Sequence, residues 1–276
     1  MELWPNGFCF NSSFFILHSS FMTLLLLCLF AFLAGFIDAI VGGGGLIQLP
    51  AMLLLLPGVP VPMVFGTGKI SSLAGTGAAL RRYLSGPEKL DIRWRTVALT
   101  ALVAGGFALL GSRAVSHLHK EAVRPLVLSL LVLMAVYTFW RKDFGNLHAP
   151  RLHGRRELLT GVLLGAALGF YDGFFGPGTG SLLLFAFVGL FGYDFIAASA
   201  SAKLVNVATN AASLFYFAST GQVLYKVALP MAACNMLGST LGARLAQRKG
   251  TGFVRVLFLT VVSAFILKLG WDTLGA

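Results

Sequence analysis

From Phe21 to Ile37 the chain has no charged residue and is apolar on every face, and Leu126 to Tyr137 repeats the pattern. An amphipathic surface helix needs a polar side, and a barrel strand must alternate; these runs do neither. Lipid offers backbone groups no hydrogen bonds, so such a run folds as a helix that satisfies them internally. A span takes roughly 20 apolar residues. With 57% of its 276 residues hydrophobic and 11% charged, the chain has room for about eight to ten segments and for no separate aqueous domain.

Apolar runs set against Gly, Pro and charge punctuation predict ten segments. They are 16–41, 45–57, 62–80, 96–112 and 123–140, then 157–175, 179–191, 195–219, 224–243 and 253–271. Segments 45–57 and 179–191 are too short to cross comfortably, and each follows a glycine cluster. They are expected to be half-helices of a broken span or of a re-entrant hairpin. The stretch up to about Phe36 has no basic residue ahead of its apolar core and no clear cleavage site, so a cleaved signal peptide is not expected. Cys9, Cys28 and Cys234 lie far apart without metal spacing and are expected to be small apolar packers.

The formal net charge of +11 suggests nucleic acid only until the basic residues are located. Loops at Arg81–Arg95, at Arg141–Arg156 and near the C-terminus at Arg244–Arg255 hold five, five and four of the 21 Lys and Arg residues. Loops around Arg113–Arg124 and Lys226 hold three and one. If every segment crosses once, the rich loops share one face and the poor loops the other. The positive-inside rule puts the rich face in the cytoplasm and both termini outside.

The chain also repeats itself. GFIDAIVGGGG at Gly35–Gly45 aligns with GFYDGFFGPGT at Gly169–Thr179 at an offset of 134, and the same offset carries Lys69 onto Lys203 and Asp38 onto Asp172. Farther on, Gly111-Ser-Arg113 and Val123-Arg124 recur as Gly242-Ala-Arg244 and Val254-Arg255 at an offset of 131. Chance similarity between apolar segments does not readily align Asp, Lys and two Arg together. The predicted fold is therefore an all-α polytopic membrane protein with two homologous five-segment halves, residues 1–140 and 157–276, joined by a basic cytoplasmic loop at 141–156. Five segments per half is odd, so the second half is inserted upside down, an inverted repeat of the kind common among secondary transporters.

Asp38, Lys69, Asp172 and Lys203 are four ionisable residues that lie inside apolar runs and not in loops. Each charge in the membrane costs roughly 2.5 to 3.5 kcal/mol, so something compensates it. The simplest compensation pairs Asp38 with Lys69 and Asp172 with Lys203, within each half, as plain structural salt bridges. In the functional alternative each Lys faces a central cavity and attracts an anion, while each Asp orients it or exchanges a proton. The glycine clusters favour the second reading, because Gly43 and Gly44, and Gly178 with Thr179, would expose main-chain N–H groups and the positive end of the following half-helix. Thr67, Ser72, Ser201, Asn206 and Asn210 would add neutral hydrogen-bonding groups beside the lysines, as would Ser71, Thr76 and Thr209. Gly75, Gly77, Gly105, Gly106, Gly238 and Gly242 are assigned to close helix packing.

Gly66-Thr-Gly-Lys69 lacks the spacing of a nucleotide-binding P-loop. The histidines lie near segment ends without metal spacing, and no nucleophilic or paired-carboxylate constellation suggests an enzyme. No metal and no cofactor are expected. The expected partners are a small anion, the lipid bilayer and, as an open option, further copies of the chain in a homo-oligomer. Nucleic acid is not among them.

Together GFIDAIVGGGGLIQLPA, TGKIS, GFYDGFFGPGTGS and SAKLVNVATN resemble the TauE/SafE family of membrane transporters, the sulfite exporter family, from about Leu33 to Thr273. The resemblance implies a bacterial inner-membrane permease for sulfite, organosulfonates or related small anions. The family is usually described with seven or eight spans, which matches ten segments if the short glycine-led ones are counted with their neighbours. The function expected is gradient-driven secondary transport, with Lys69 and Lys203 as electrostatic lures. The alternative is an anion channel without alternating access.

Overall fold

A computed structural model describes residues 2–3, 9–10, 21–86, 90–117, 152 and 154–274, with side chains described between Phe21 and Lys249. Eight helices make up nearly all of this. They are α1 (Phe21–Val41), α2 (Gly45–Leu55), α3 (Val61–Leu84), α4 (Trp94–Ser116), α5 (Gly154–Phe174), α6 (Thr179–Gly189), α7 (Phe195–Ser219) and α8 (Tyr225–Leu274). At the N-terminus β1 (Glu2–Leu3) pairs antiparallel with β2 (Cys9–Phe10). The predicted segment 123–140 and the connecting loop up to Arg151 lie outside the described residues.

Among the described residues α1, α4 and α5 are long and apolar enough to cross a membrane. They turn large side chains outward, Phe21, Leu25 and Leu29 on α1, Leu102 and Leu110 on α4, Leu159 and Leu163 on α5. So much exposed oil suits lipid and not water. Helices α3 and α7 are 24 and 25 residues long but less apolar, because they carry Lys69 and Lys203 among Ser, Thr and Asn residues. The two pack on each other inside the molecule. The half-helices α2 and α6 have 11 residues each, about 16 Å at ~1.5 Å per residue, as expected of segments that do not cross.

The repeats interlock by exchanging equivalent contacts. Helix α1 packs on α8, and α5, its repeat counterpart, packs on α4. A Cβ at Gly35 would come within 2.2 Å of the Asn235 carbonyl, and one at Gly242 within 2.3 Å of the Phe36 carbonyl. Their counterparts Gly169 and Gly111 would meet the Ala104 and Phe170 carbonyls at 2.3 and 2.2 Å. Along α5, Gly161, Gly165, Gly169 and Gly173 recur every fourth residue and let its backbone lie directly on α4. Such matched pairs are compatible with a two-fold relation between the repeats. Of the glycines assigned to packing, Gly75, Gly238 and Gly242 are tightly covered, while Gly77 and Gly106 face nothing within 4 Å.

One segment boundary differs from expectation. Segments 224–243 and 253–271 are one 50-residue helix, α8, about 75 Å long at ~1.5 Å per residue. Between them Arg244–Lys249 consists of good helix formers without proline, and Gly250 and Gly252 do not stop the helix. Charge marks where a chain leaves lipid, not where a helix ends.

The basic stretches nevertheless gather at one end. Arg93, which precedes α4, is ion-paired with Glu157 of α5 and donates to the Leu152 carbonyl at 2.5 Å. Gln247 of α8 donates to the Arg82 carbonyl at 3.2 Å. At the other end of α4, Ser116 donates to the Gln222 side chain at 3.2 Å, joining the two stretches poor in basic residues.

Candidate functional site

Helix α1 ends at Val41 because Gly42 turns to φ +82°, and α5 gives way to Gly176 at φ +95°. Side-chain-bearing residues avoid that region. The two breaks touch. A Cβ on Gly42 would sit 2.3 Å from the carbonyl carbon of Gly180, and one on Gly180 would sit 2.6 Å from the Gly42 oxygen. Ser181 fastens them, donating its N–H to the Gly42 carbonyl and its hydroxyl to the Val41 carbonyl, both at 2.9 Å. Tyr171 donates to the Pro177 carbonyl at 2.9 Å and Thr179 to the Gly176 carbonyl at 2.7 Å, fixing the second loop.

The buried charges pair across the repeats, not within them. Lys69 Nζ lies 3.2 Å from Asp172 Oδ2 and donates to the Asp172 carbonyl at 2.8 Å. Lys203 Nζ lies 2.6 Å from Asp38 Oδ2 and also donates to the Asp38 carbonyl. The expectation of Asp38 with Lys69 and Asp172 with Lys203 is overturned. Each aspartate sits at the end of a broken helix, and the other repeat's break and lysine helix close over it. Asp38 Oδ1 also accepts the Gly44 N–H at 3.3 Å, which caps the turn into α2.

Between the breaks lies a cavity of about 80 Å³. One water needs on the order of 10–15 Å³ by the same measure, so a small polyatomic ion can be accommodated. Among the predicted site residues, Lys69, Ser72, Asn206 and Asn210 line it from α3 and α7. Gly44, Gly178 and Thr179 line it from the half-helix starts, and Asp38 and Asp172 from the helix breaks. The others lie elsewhere. Lys203 is 2% exposed and held by Asp38, away from the cavity wall. Thr67 donates to the Met63 carbonyl at 2.7 Å and accepts the Leu224 N–H at 3.0 Å, tying α3 to the start of α8. Ser201 donates back to the Ala197 carbonyl at 2.8 Å, and Gly43 offers its carbonyl to Leu46 N–H at 3.0 Å.

Gln48 and Asn235 are wall residues that the sequence reasoning passed over. Gln48 Oε1 accepts from the Ser71 hydroxyl at 3.0 Å and the Asn235 amide at 2.9 Å, while its own amide donates to the Gly68 carbonyl at 3.3 Å. Their repeat equivalents are Leu182 and Ala104, so a polar residue facing an apolar counterpart was the available signal. Gly75 makes room for this network, since a Cβ there would overlap Asn235 Oδ1 at 1.7 Å. Asn206 Oδ1 is buried at the cavity without a hydrogen-bond partner.

Interlocked helical repeats with an apolar exterior, facing helix breaks and buried ammonium–carboxylate pairs define a multi-pass helical membrane protein. Its family follows from comparison with known sequences: residues 27–269 match the model of the sulfite exporter TauE/SafE family, and the chain belongs to that family. A probable membrane transporter protein of Haemophilus influenzae is 34% identical over 90% of this chain and 94% of its own length. One from Sinorhizobium sp, ORF9, is 34% identical over 91% and 93%. The probable membrane transporter protein YfcA of Escherichia coli K12 is 31% identical over 96% and 95%. No solved structure is significantly similar to the chain.

Proposed function

We propose that the chain is a gradient-driven secondary transporter of small anions, with sulfite and organosulfonates as the first candidates, in the bacterial inner membrane. One observation carries the reading: a buried ammonium, Lys69, and the start of α6 meet at the same cavity. A Cβ on Gly176, two residues before the α6 N-cap Gly178, would lie 3.4 Å from Lys69 Nζ. A helix start carries partial positive charge, here with the Thr179 and Ser181 N–H groups already taken by the Gly176 and Gly42 carbonyls, and the lysine adds a full charge beside it. Asn206 and Ser72 supply neutral groups to the same cavity. The exchanged contacts between repeats agree with an inverted repeat, and the basic end of the molecule is then cytoplasmic.

Anion-dependent thermal stabilisation of the purified protein tests the site. Sulfite should raise the melting temperature of wild type and leave Lys69→Ala unmoved. Equal stabilisation of both would remove Lys69 from the site. Uphill accumulation in proteoliposomes separates a transporter from a channel, which only equilibrates its ion.

A further inference from the structure

The two ion pairs are repeat equivalents, yet they have diverged. Lys203 is enclosed, and its partner Asp38, at 2.6 Å, also caps α2. Lys69 lines the cavity, and its partner carboxylate stands farther off, the buried Asp172 Oδ2 reaching Lys69 Nζ at 3.2 Å with no better-aligned donor among the described residues. The Gly176 Cβ position lies 3.4 Å from both Lys69 Nζ and Asp172 Oδ1. The Asp172 carboxylate therefore occupies the ground beside Lys69 and the α6 break that an incoming anion needs.

Charge balance then limits what can happen. With Lys69 and Asp172 both ionised the pair is neutral, and adding an anion would leave an uncompensated negative charge inside the membrane, which is costly. A proton on Asp172 removes that charge. The site then holds an ammonium, a neutral carboxylic acid and the anion, and its net charge is again zero. We infer that Asp172 carries one proton with each monovalent anion, so that the chain is an electroneutral proton–anion symporter, an inference that rests on the anion-transport reading above. The proton bonds to a carboxylate oxygen of Asp172 as the anion takes over Lys69, and both leave together on the opposite face. No electron moves and no other bond changes.

Among the described residues the groups around Asp172 leave this role to it. From α3 comes Lys69, and the second pair, Asp38 of α1 with Lys203 of α7, lies across the touching breaks. Helix α4 meets this stretch with Ala108, Gly111 and Ser112, none of them ionisable. Tyr171, beside Asp172 on α5, commits its hydroxyl to Pro177.

The full chain in liposomes tests the inference with radiolabelled methanesulfonate, a strong-acid anion whose charge stays fixed across the working pH range. An acid-outside gradient should accumulate it about tenfold per pH unit, and a potassium–valinomycin potential should accumulate none. Asp172→Asn should exchange the anion without pH dependence and lose gradient-driven accumulation. Accumulation driven by potential alone, or pH-driven accumulation surviving in Asp172→Asn, overturns the inference and leaves anion transport standing. Absence of exchange for both methanesulfonate and sulfite in wild type overturns the transport reading and this one with it. If Asp172→Asn does not fold, the gradient-against-potential comparison in wild type decides alone.

Discussion

Removing both charges of the Asp38–Lys203 pair should cost less than the two single removals added together. Lys203 is 2% exposed and its ammonium contacts only Asp38, through the carboxylate at 2.6 Å and the main-chain carbonyl, among the contacts described. Asp38→Asn leaves that ammonium buried with neutral partners, and the loss of a buried ion partner costs about 3–5 kcal/mol. The surviving carbonyl contact argues for the lower end, about 3. Lys203→Met strands a carboxylate that is still 20% exposed and bonded to Gly44 N–H, so about 1–3 kcal/mol is expected. The double substitution removes both charges and should cost less than the two singles together, by about 2–3 kcal/mol. Reversible unfolding in mixed micelles reads the cycle, and a parallel Asp38/Lys69 cycle serves as reference. Additivity within about 0.5 kcal/mol for Asp38/Lys203, or stronger coupling of Asp38 to Lys69, would refute pairing across the repeats.

Three further outcomes are expected. Gly169→Leu places a side chain where the Ala104 carbonyl already stands, 2.3 Å from the Cβ position; it should abolish monodisperse protein on fluorescence size exclusion, whereas Gly106→Ala, which meets nothing within 4 Å, should be neutral or stabilise by up to about 1 kcal/mol. Gln48→Leu, which copies its repeat equivalent Leu182, strands the Asn235 amide and leaves the Ser71 hydroxyl only its 3.4 Å bond to the Met231 carbonyl and should lower unfolding free energy by about 2 kcal/mol; an unchanged midpoint would mean that water replaces the glutamine without loss. On a background with Cys9, Cys28 and Cys234 replaced by Ala, an impermeant thiol reagent should label Ser219→Cys in intact cells and Ser85→Cys only in inverted vesicles. The opposite pattern would reverse the orientation.

Much of the scaffold was readable from composition and punctuation. Glycines ahead of short apolar runs marked the half-helices, because a break at depth needs backbone that only glycine supplies without strain, and 45–57 and 179–191 became Gly45–Leu55 and Thr179–Gly189. The four buried charges were legible for the same reason that they are expensive. Their partners were not, since two aspartates and two lysines related by duplication can pair within or across repeats with identical chemistry. Only the interlocking of α1 with α8 and α5 with α4 decides it. Gln48 and Asn235 escaped because a lone amide in an apolar run has no spacing rule. Comparison of the repeats position by position exposes them, since duplication makes a polar residue opposite Leu or Ala stand out. The continuous α8 was missed because a basic cluster marks a membrane boundary without dictating backbone conformation.

The seating of α1 on α8 also governs how the protein comes into being. Gly35 finds its partner carbonyl at Asn235, which the ribosome has yet to make when α1 enters the bilayer. At roughly 5–20 residues per second the wait is on the order of 10 s or more. Throughout that interval the notch at Gly35 on α1 lies against lipid, open to any other helix that fits. Nascent chains cut short ahead of α8 should therefore be cleared by membrane proteases, and premature stop codons near the 3′ end of the message should be as damaging as early ones.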